Sequence, residues 1–236
     1  MIKQALEYIV GLSKANVQEV NGSKYSDKQL SRINEDLRAE KINLFTLKSL
    51  VDYIKSNTDK IKGKLLVHVV SPSEVELISE LDGDRKRETL AYVTASLPRI
   101  RLNEFIDQEA FIIMMQSMFV PNDDKALVMQ VAGGVIENTV AEYGDDGVSQ
   151  KATIRSGLAN NMDVEVPNPV ELIPFRTFQE VQQVESSFVF RMRSERGITC
   201  ALYDADGGAW KIDAVMRIKE YLQEELETVE GLTVIA

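Results

Sequence analysis

The stretch that decides the fold is LLVHVVSPSEVELISELDGDRKRETLAYVTA, residues Leu65–Ala95. It contains three apolar or alternating runs, Leu65–Val70, Glu74–Ser79 and Thr89–Ala95, and each is typical of a β-strand. The charged segment Asp82–Glu88 separates the last two runs. This order predicts an antiparallel hairpin with a strongly solvated tip. Because strands this apolar are not stable alone in water, one face must lie on another part of the chain or on a neighbouring molecule.

The tip of this hairpin is the first candidate contact site. Its charged side chains belong to Asp82, Asp84, Arg85, Lys86, Arg87 and Glu88. Such charges can protect the hairpin from edge-to-edge aggregation, which is the structural interpretation. They can also bind an acidic neighbour or a polyanion. Arg191 and Arg193, with Arg196, form a second and sparser basic patch that has the same two interpretations.

The chain before the hairpin is mostly helix and polar arm. Residues 1–12 place Ile2, Leu6, Ile9 and Val10 on one helical face. The polar stretch that follows, residues 13–41, is typical of an arm, with one weak helix predicted around Asp27–Glu40. Apolar residues at intervals of three and four then predict a helix over Leu44–Ser56.

The chain after the hairpin begins with the clearest helix signal. We expect Asn103 to cap this helix, which runs to Met118 as a long, spine-like element, and the segment Pro121–Asp124 to end it. Strand patterns dominate from there. They cover Ala126–Val131, Thr139–Tyr143, Asp163–Pro167, Val170–Phe178 (an edge strand), Ser187–Arg193 and Ile198–Tyr203. Asp213 is expected to cap a last helix.

These elements predict an α+β fold, because no βαβ alternation supports a doubly wound sheet. The predicted order is an N-terminal helix and arm, an extended charged-tip hairpin, a spine-like helix, and a mixed β-rich domain with a C-terminal helix. We divide the chain accordingly at residues 1–62, 63–100 and 101–236.

Composition excludes several classes of function. With 27 Lys and Arg against 37 Asp and Glu, the 236-residue chain has a net charge of −10, which disfavours binding to nucleic-acid phosphates. The single histidine, His68, argues against a zinc site or a histidine-based catalytic centre, and the single cysteine, Cys200, cannot form an intramolecular disulfide. The sequence has no motif for a cofactor. It shows neither an apolar run near 18 residues nor a signal peptide, so we expect no membrane segment.

Acidic turns are the remaining candidates for chemistry. Asp204-Ala205-Asp206-Gly207-Gly208 begins like a calcium loop, but the twelfth position from Asp204 is Val215 rather than glutamate, so we predict a simple turn. The pairs Asp82/Asp84, Asp123/Asp124 and Asp145/Asp146 could hold a divalent ion only if folding brought two of them together. His68, Cys200, the Met114–Met118 segment and Trp210 are predicted to be structural.

Four blocks in the C-terminal part resemble a known family. They are Val166–Val170, Pro174–Val181, Ser187–Arg193 and Ala201–Lys211. In this order they are similar to the YfdQ-like proteins of tailed phages and prophages, a family without an assigned function, over residues 163 to 222. The resemblance implies a phage gene product in the bacterial host cytoplasm, encoded among replication and recombination genes. It transfers no catalytic residue. The element order also resembles that of encapsulins and phage major capsid proteins, whose hairpin extends over a neighbouring subunit.

Three hypotheses of function follow. The first is a non-enzymatic protein that assembles with itself into a homo-oligomer, in the form of a capsid- or encapsulin-like shell, with a phage protein as a further partner. The second is an accessory factor in phage recombination or replication that binds protein or DNA. The third is a metal-dependent enzyme that uses the aspartate turns. We favour the first, because it accounts for an apolar hairpin and for the lack of catalytic motifs.

Overall fold

The fold is α+β, as the sequence predicts. The computed structural model describes residues 2–13, 15–20, 23–28, 38–83, 85–135, 141–142, 150–156, 160–165, 168–194 and 197–236. The chain divides into two compact units, Met1–Ala39 and Glu40–Ala236.

The smaller unit contains one helix and one hairpin. Helix α1 covers Ile2–Ser13, and strands β1 (Val17–Val20) and β2 (Ser23–Ser26) pair antiparallel. Asn16 and Asp27 close the open end of the hairpin, since the Asn16 N–H donates to Oδ1 of Asp27 at 2.7 Å. The predicted weak helix around Asp27–Glu40 lies largely outside the described residues.

The larger unit contains the remaining elements. In chain order they are β3 (Ile42–Leu44), α2 (Leu47–Ser56), β4 (Leu65–Ser71), β5 (Glu74–Ser79), β6 (Thr89–Thr94), β7 (Ile106–Asp107), α3 (Gln108–Met118), α4 (Asp123–Gly134), β8 (Ala141–Glu142), β9 (Gln150–Ser156), β10 (Asn160–Glu165), β11 (Val170–Leu172), β12 (Ser186–Arg193), β13 (Thr199–Asp204), α5 (Trp210–Glu225) and β14 (Leu232–Ile235). Strands β10, β9 and β8 form a small antiparallel sheet.

The predicted hairpin lies inside a five-stranded sheet with the order β14-β4-β5-β6-β3. Strands β4, β5 and β6 are antiparallel, while β14 runs parallel to β4 and β3 runs parallel to β6. The sheet therefore takes strands from all three segments at residues 1–62, 63–100 and 101–236. A local sequence pattern does not reveal which strands far apart in the chain pair in parallel.

The apolar face of this sheet is covered by the protein's own helices. Val67, Val69, Val75, Leu77 and Val93 are buried on it. Helices α2 and α5 pack against them in one continuous hydrophobic cluster. The hairpin thus finds its cover within the chain, which is one of the two alternatives that the sequence left open.

A second core lies between helices α3 and α4 and a four-stranded antiparallel sheet with the order β11-β12-β13-β7. Strand β12 alternates as predicted: Phe188, Phe190 and Met192 are fully buried. The Phe190 ring stacks on that of Phe111 with 5.4 Å between centroids. The prediction that Met114 and its neighbours fill the core is confirmed, because Met114 and Met115 are buried.

Three predictions around α3 and α4 are wrong. Asn103 does not cap the helix: its φ is +62°, and the Asp107 side chain instead accepts from the Ala110 N–H at 2.9 Å. The helix has 11 residues, or about 16 Å of length, and is not a long spine. The Ala126–Val131 run is part of helix α4 and not a strand. Asn122 caps this helix by accepting from the Lys125 N–H at 2.8 Å.

Two other helix boundaries and one strand boundary differ from the prediction. Thr46 caps α2, so the residues before it are free to form β3 instead of a first helical turn. Helix α5 begins at Trp210, three residues before the predicted cap Asp213. The predicted edge strand is confirmed for Val170–Leu172, since β11 lies at the edge of its sheet.

Candidate functional site

Some of the charged residues at the hairpin tip stabilise its turn through hydrogen bonds. Oδ1 of Asp82 accepts from the Lys86 N–H at 2.7 Å, and Arg85 takes the left-handed conformation at φ +60°. The Arg87 guanidinium donates to the Ser79 carbonyl at 3.1 Å, and the Glu88 N–H donates to Ser79 Oγ. Asp84, also predicted here, lies outside the described residues. The side chains of Arg85 and Lys86 are exposed, so both remain accessible to a partner while the turn is formed.

Arg191 and Arg193 lie on the face of the four-stranded sheet that points away from the core. The Arg193 guanidinium stacks over the Phe105 ring at 4.0 Å, and this ring meets Tyr203 edge-on at 6.3 Å between centroids. Cation–π contacts of this kind stabilise an exposed arginine by about 0.5–1 kcal/mol. The predicted basic patch is therefore partly a structural feature. Arg196 lies outside the described residues.

A further polar group with several contacts is Arg176, which the sequence did not single out. Its side chain is only 10% exposed, and it forms an ion pair with Asp204 at 3.1 Å. It donates a second hydrogen bond to Ser186 Oγ. Its guanidinium lies 4.0 Å from the centre of the Trp210 ring. Burial lowers the pKa of Arg176, and Asp204 and Asp206 oppose this effect.

The acidic turn before α5 organises the start of that helix. Asp206 accepts from the Gly208 N–H at 2.9 Å and from the Trp210 N–H at 3.3 Å. Partial burial acts to raise the pKa of Asp206, but hydrogen bonds from Gly208, Ser186 and Trp210, together with Arg176, hold it below its usual value. Gly207 and Gly208 have φ of +64° and +87°. The prediction of a turn here agrees with this geometry.

Several other polar and titratable residues have structural roles. Cys200 is fully buried, and this burial raises the pKa of its thiol to about 12, unlike that of a nucleophile. Buried Lys125 donates to the Phe119 carbonyl at 2.6 Å, where it caps the end of α3. Asp124 accepts from the Glu171 N–H at 2.7 Å. Asp145 and Asp146 lie outside the described residues, and among those described no cluster of three metal-ligating side chains occurs.

The smaller unit exposes large apolar side chains. Ile2, Leu6 and Ile9 recur at helical spacing on α1 and are 80%, 56% and 60% exposed. We call these three residues the α1 face. Tyr8 beside it and Tyr25 on β2 are exposed as well. Since scattered single apolar residues on a surface are common but a helical stripe is not, the α1 face is the strongest candidate for an interaction surface.

None of the helices in the described parts of the chain has both the length and the apolar character needed to cross a bilayer. No protein-family model matches the chain, and no curated protein or solved structure matches it. The YfdQ-like and capsid-like resemblances therefore stay predictions from the sequence.

Proposed function

We propose that this chain is a non-enzymatic protein that assembles with copies of itself through its N-terminal unit. The observation that carries the proposal is the exposed α1 face. A 12-residue helix is marginal in water and gains most of its stability from packing an apolar face. The β1–β2 hairpin has the same difficulty, because an isolated two-stranded hairpin is marginally stable at best.

Charge favours association through the N-terminal unit. Residues 1–39 carry six Lys and Arg against five Asp and Glu, a net charge of +1. Residues 40–236 carry 21 against 32, a net charge of −11. Two copies therefore repel each other through their larger units and not through their N-terminal units. A contact between near-neutral, apolar surfaces is the arrangement that this distribution favours.

In this proposal the contact between copies lies in the N-terminal unit and not in the hairpin. From the sequence alone, both Leu65–Ala95 and the N-terminal arm are expected to extend over a neighbouring subunit. Because α2 and α5 cover the apolar face of the hairpin strands, the hairpin no longer needs a neighbour. The α1 face is exposed and therefore still requires a neighbouring surface to cover it. A shell-like assembly of a phage or prophage protein in the bacterial cytoplasm remains the biological setting that the sequence resemblances suggest.

Amide hydrogen exchange tests this proposal at the level of single elements. If α1 is stabilised by a second copy, exchange in Ile2–Ser13 slows as the protein concentration rises. Strand β12 is the internal control, because its amides belong to a core within one copy and their exchange is expected to be independent of concentration. Exchange in α1 that is the same at every concentration would contradict the proposal.

The rival proposal, an accessory factor that binds nucleic acid, has the basic residues Arg85, Lys86 and Arg193 in its favour. Salt separates the two. Nucleic-acid binding weakens as salt rises, because counterions compete with the cationic side chains for phosphate. Self-association through the α1 face is expected to strengthen, because salt screens the repulsion between larger units. Oligonucleotide binding that falls with salt and with the substitutions Arg85→Gln and Lys86→Gln would favour the rival.

A further inference from the structure

A cleft of about 420 Å³ opens beside Trp210 in the larger unit. Phe175 and Arg176 from the loop after β11 form one wall, and Trp210 and Lys211 at the start of α5 form another. The turn between β4 and β5 and the segment after β6 complete it. Three of the four sequence blocks that resemble the YfdQ-like family, Pro174–Val181, Ser187–Arg193 and Ala201–Lys211, meet around this Arg176–Trp210 contact.

The charges on this cleft differ from those of the chain as a whole. Its lining contains two cationic side chains, Arg176 and Lys211, and, among the residues that the structure describes there, no carboxylate. Because Arg176 already forms an ion pair with Asp204, Lys211 is the cation that supplies the unneutralised positive charge of the lining, and this charge favours an anion. The hydroxyls of Ser71 and Ser73 are already engaged, since they lie 3.4 Å apart and Ser71 Oγ donates to Oε2 of Glu74 at 3.4 Å.

The rest of the lining is apolar and held in place. Leu97, Ile100, Phe175 and the Trp210 ring provide flat hydrophobic walls. Arg176 is fixed by its contacts with Asp204, Ser186 and Trp210, so this wall is organised before any ligand enters. Its Nε is buried and makes no hydrogen bond within the described structure. An apolar cleft with a few convergent polar groups is the usual form of a small-molecule site.

We propose that this cleft binds a small anion with a flat apolar body, of the class of aromatic phosphates and carboxylates. The anionic group would lie against Lys211 and the edge of Arg176, and the ring would lie between Leu97 and Phe175. The site is complete within one copy of the chain. It is therefore independent of the self-assembly proposed above, and failure of either proposal leaves the other intact.

Trp210 gives a direct readout, because it is the chain's only tryptophan. We expect phenyl phosphate to change its fluorescence with saturation at about millimolar concentration, since one cation and a few apolar contacts provide little binding free energy. Benzyl alcohol, which has the ring without the charge, and inorganic phosphate, which has the charge without the ring, are each expected to bind at least tenfold more weakly. Equal responses to phenyl phosphate and benzyl alcohol would overturn the proposal.

Three variants locate the site. Lys211→Gln removes an exposed cation of the lining and is expected to weaken phenyl phosphate binding about fivefold. Leu97→Glu places a carboxylate in the lining and is expected to abolish saturation. Lys219→Gln, about two turns further along α5 and outside the lining, is the matched control and is expected to bind like the parent. Unchanged affinity in both Lys211→Gln and Leu97→Glu would overturn the assignment to this cleft.

Discussion

Replacing Leu6 and Ile9 together by Glu is expected to return the protein to a single species of 26.5 kDa. If copies associate through the α1 face, both side chains lie against another copy, and burying an ionised carboxylate without a partner costs several kcal/mol. Glutamate is a good helix former, so the substitution leaves the intrinsic helix propensity of α1 largely intact. The measurement is the molar mass by light scattering after size-exclusion chromatography, with parent and variant at equal concentration.

A matched control separates the apolar face from simple charge repulsion. Gln4→Glu together with Gln18→Glu adds the same two negative charges at exposed positions of the N-terminal unit, outside the α1 face. This variant is expected to keep the mass of the parent. Dissociation of both variants to the same extent would mean that charge alone controls assembly. Retention of the parent mass by Leu6→Glu/Ile9→Glu would remove the α1 face from the interface.

The largest expected effect on stability comes from Phe190→Ala. Phe190 is fully buried in the core under the four-stranded sheet, and its ring stacks on Phe111. Replacing a buried phenylalanine by alanine removes its transfer free energy and leaves a cavity, and the two effects together cost about 3–5 kcal/mol. Since domains are typically stable by about 5–15 kcal/mol, this variant is expected to lose a large part of its free energy of unfolding.

Urea denaturation measures this loss, provided that all variants are compared at one protein concentration, because self-association shifts apparent stability. Phe45→Ala is the matched control: the residue type and the change are the same, but Phe45 is 67% exposed. We expect its free energy of unfolding to change by less than about 0.5 kcal/mol. A loss below about 1 kcal/mol for Phe190→Ala would contradict the placement of this ring at the centre of the core.

The parts of the fold that follow local rules could be predicted from the sequence. Strand β12 is an example, because the alternation of Phe188, Phe190 and Met192 has the period of a pleated strand. The apolar pattern does not identify helix α4, because Ala126–Val131 is short and such a run does not distinguish a strand from a helix. The decisive signal was the capping residue Asn122 followed by two acidic residues. Strands β3 and β14 depend on parallel partners far away in sequence, which no local pattern reveals.

The residues of the α1 face, the hairpin tip and the Arg176 cluster could be predicted from the sequence only in part, for a similar reason. The apolar stripe of α1 is visible in the sequence as residues at helical intervals, although its exposure is not. Arg176 could not be identified, because a buried arginine has no periodicity, and its partners Ser186, Asp204 and Trp210 come from separate segments. The hairpin tip was visible as a charge cluster, whereas its hydrogen bonds to Asp82 and Ser79 depend on the turn geometry.

The central claim is that copies of this chain associate through the N-terminal unit. The most direct test is the molar mass of the unmodified protein by light scattering across a dilution series at two salt concentrations. The proposal predicts a mass well above 26.5 kDa that decreases on dilution and increases with salt. A constant mass of 26.5 kDa at every concentration and salt would contradict it.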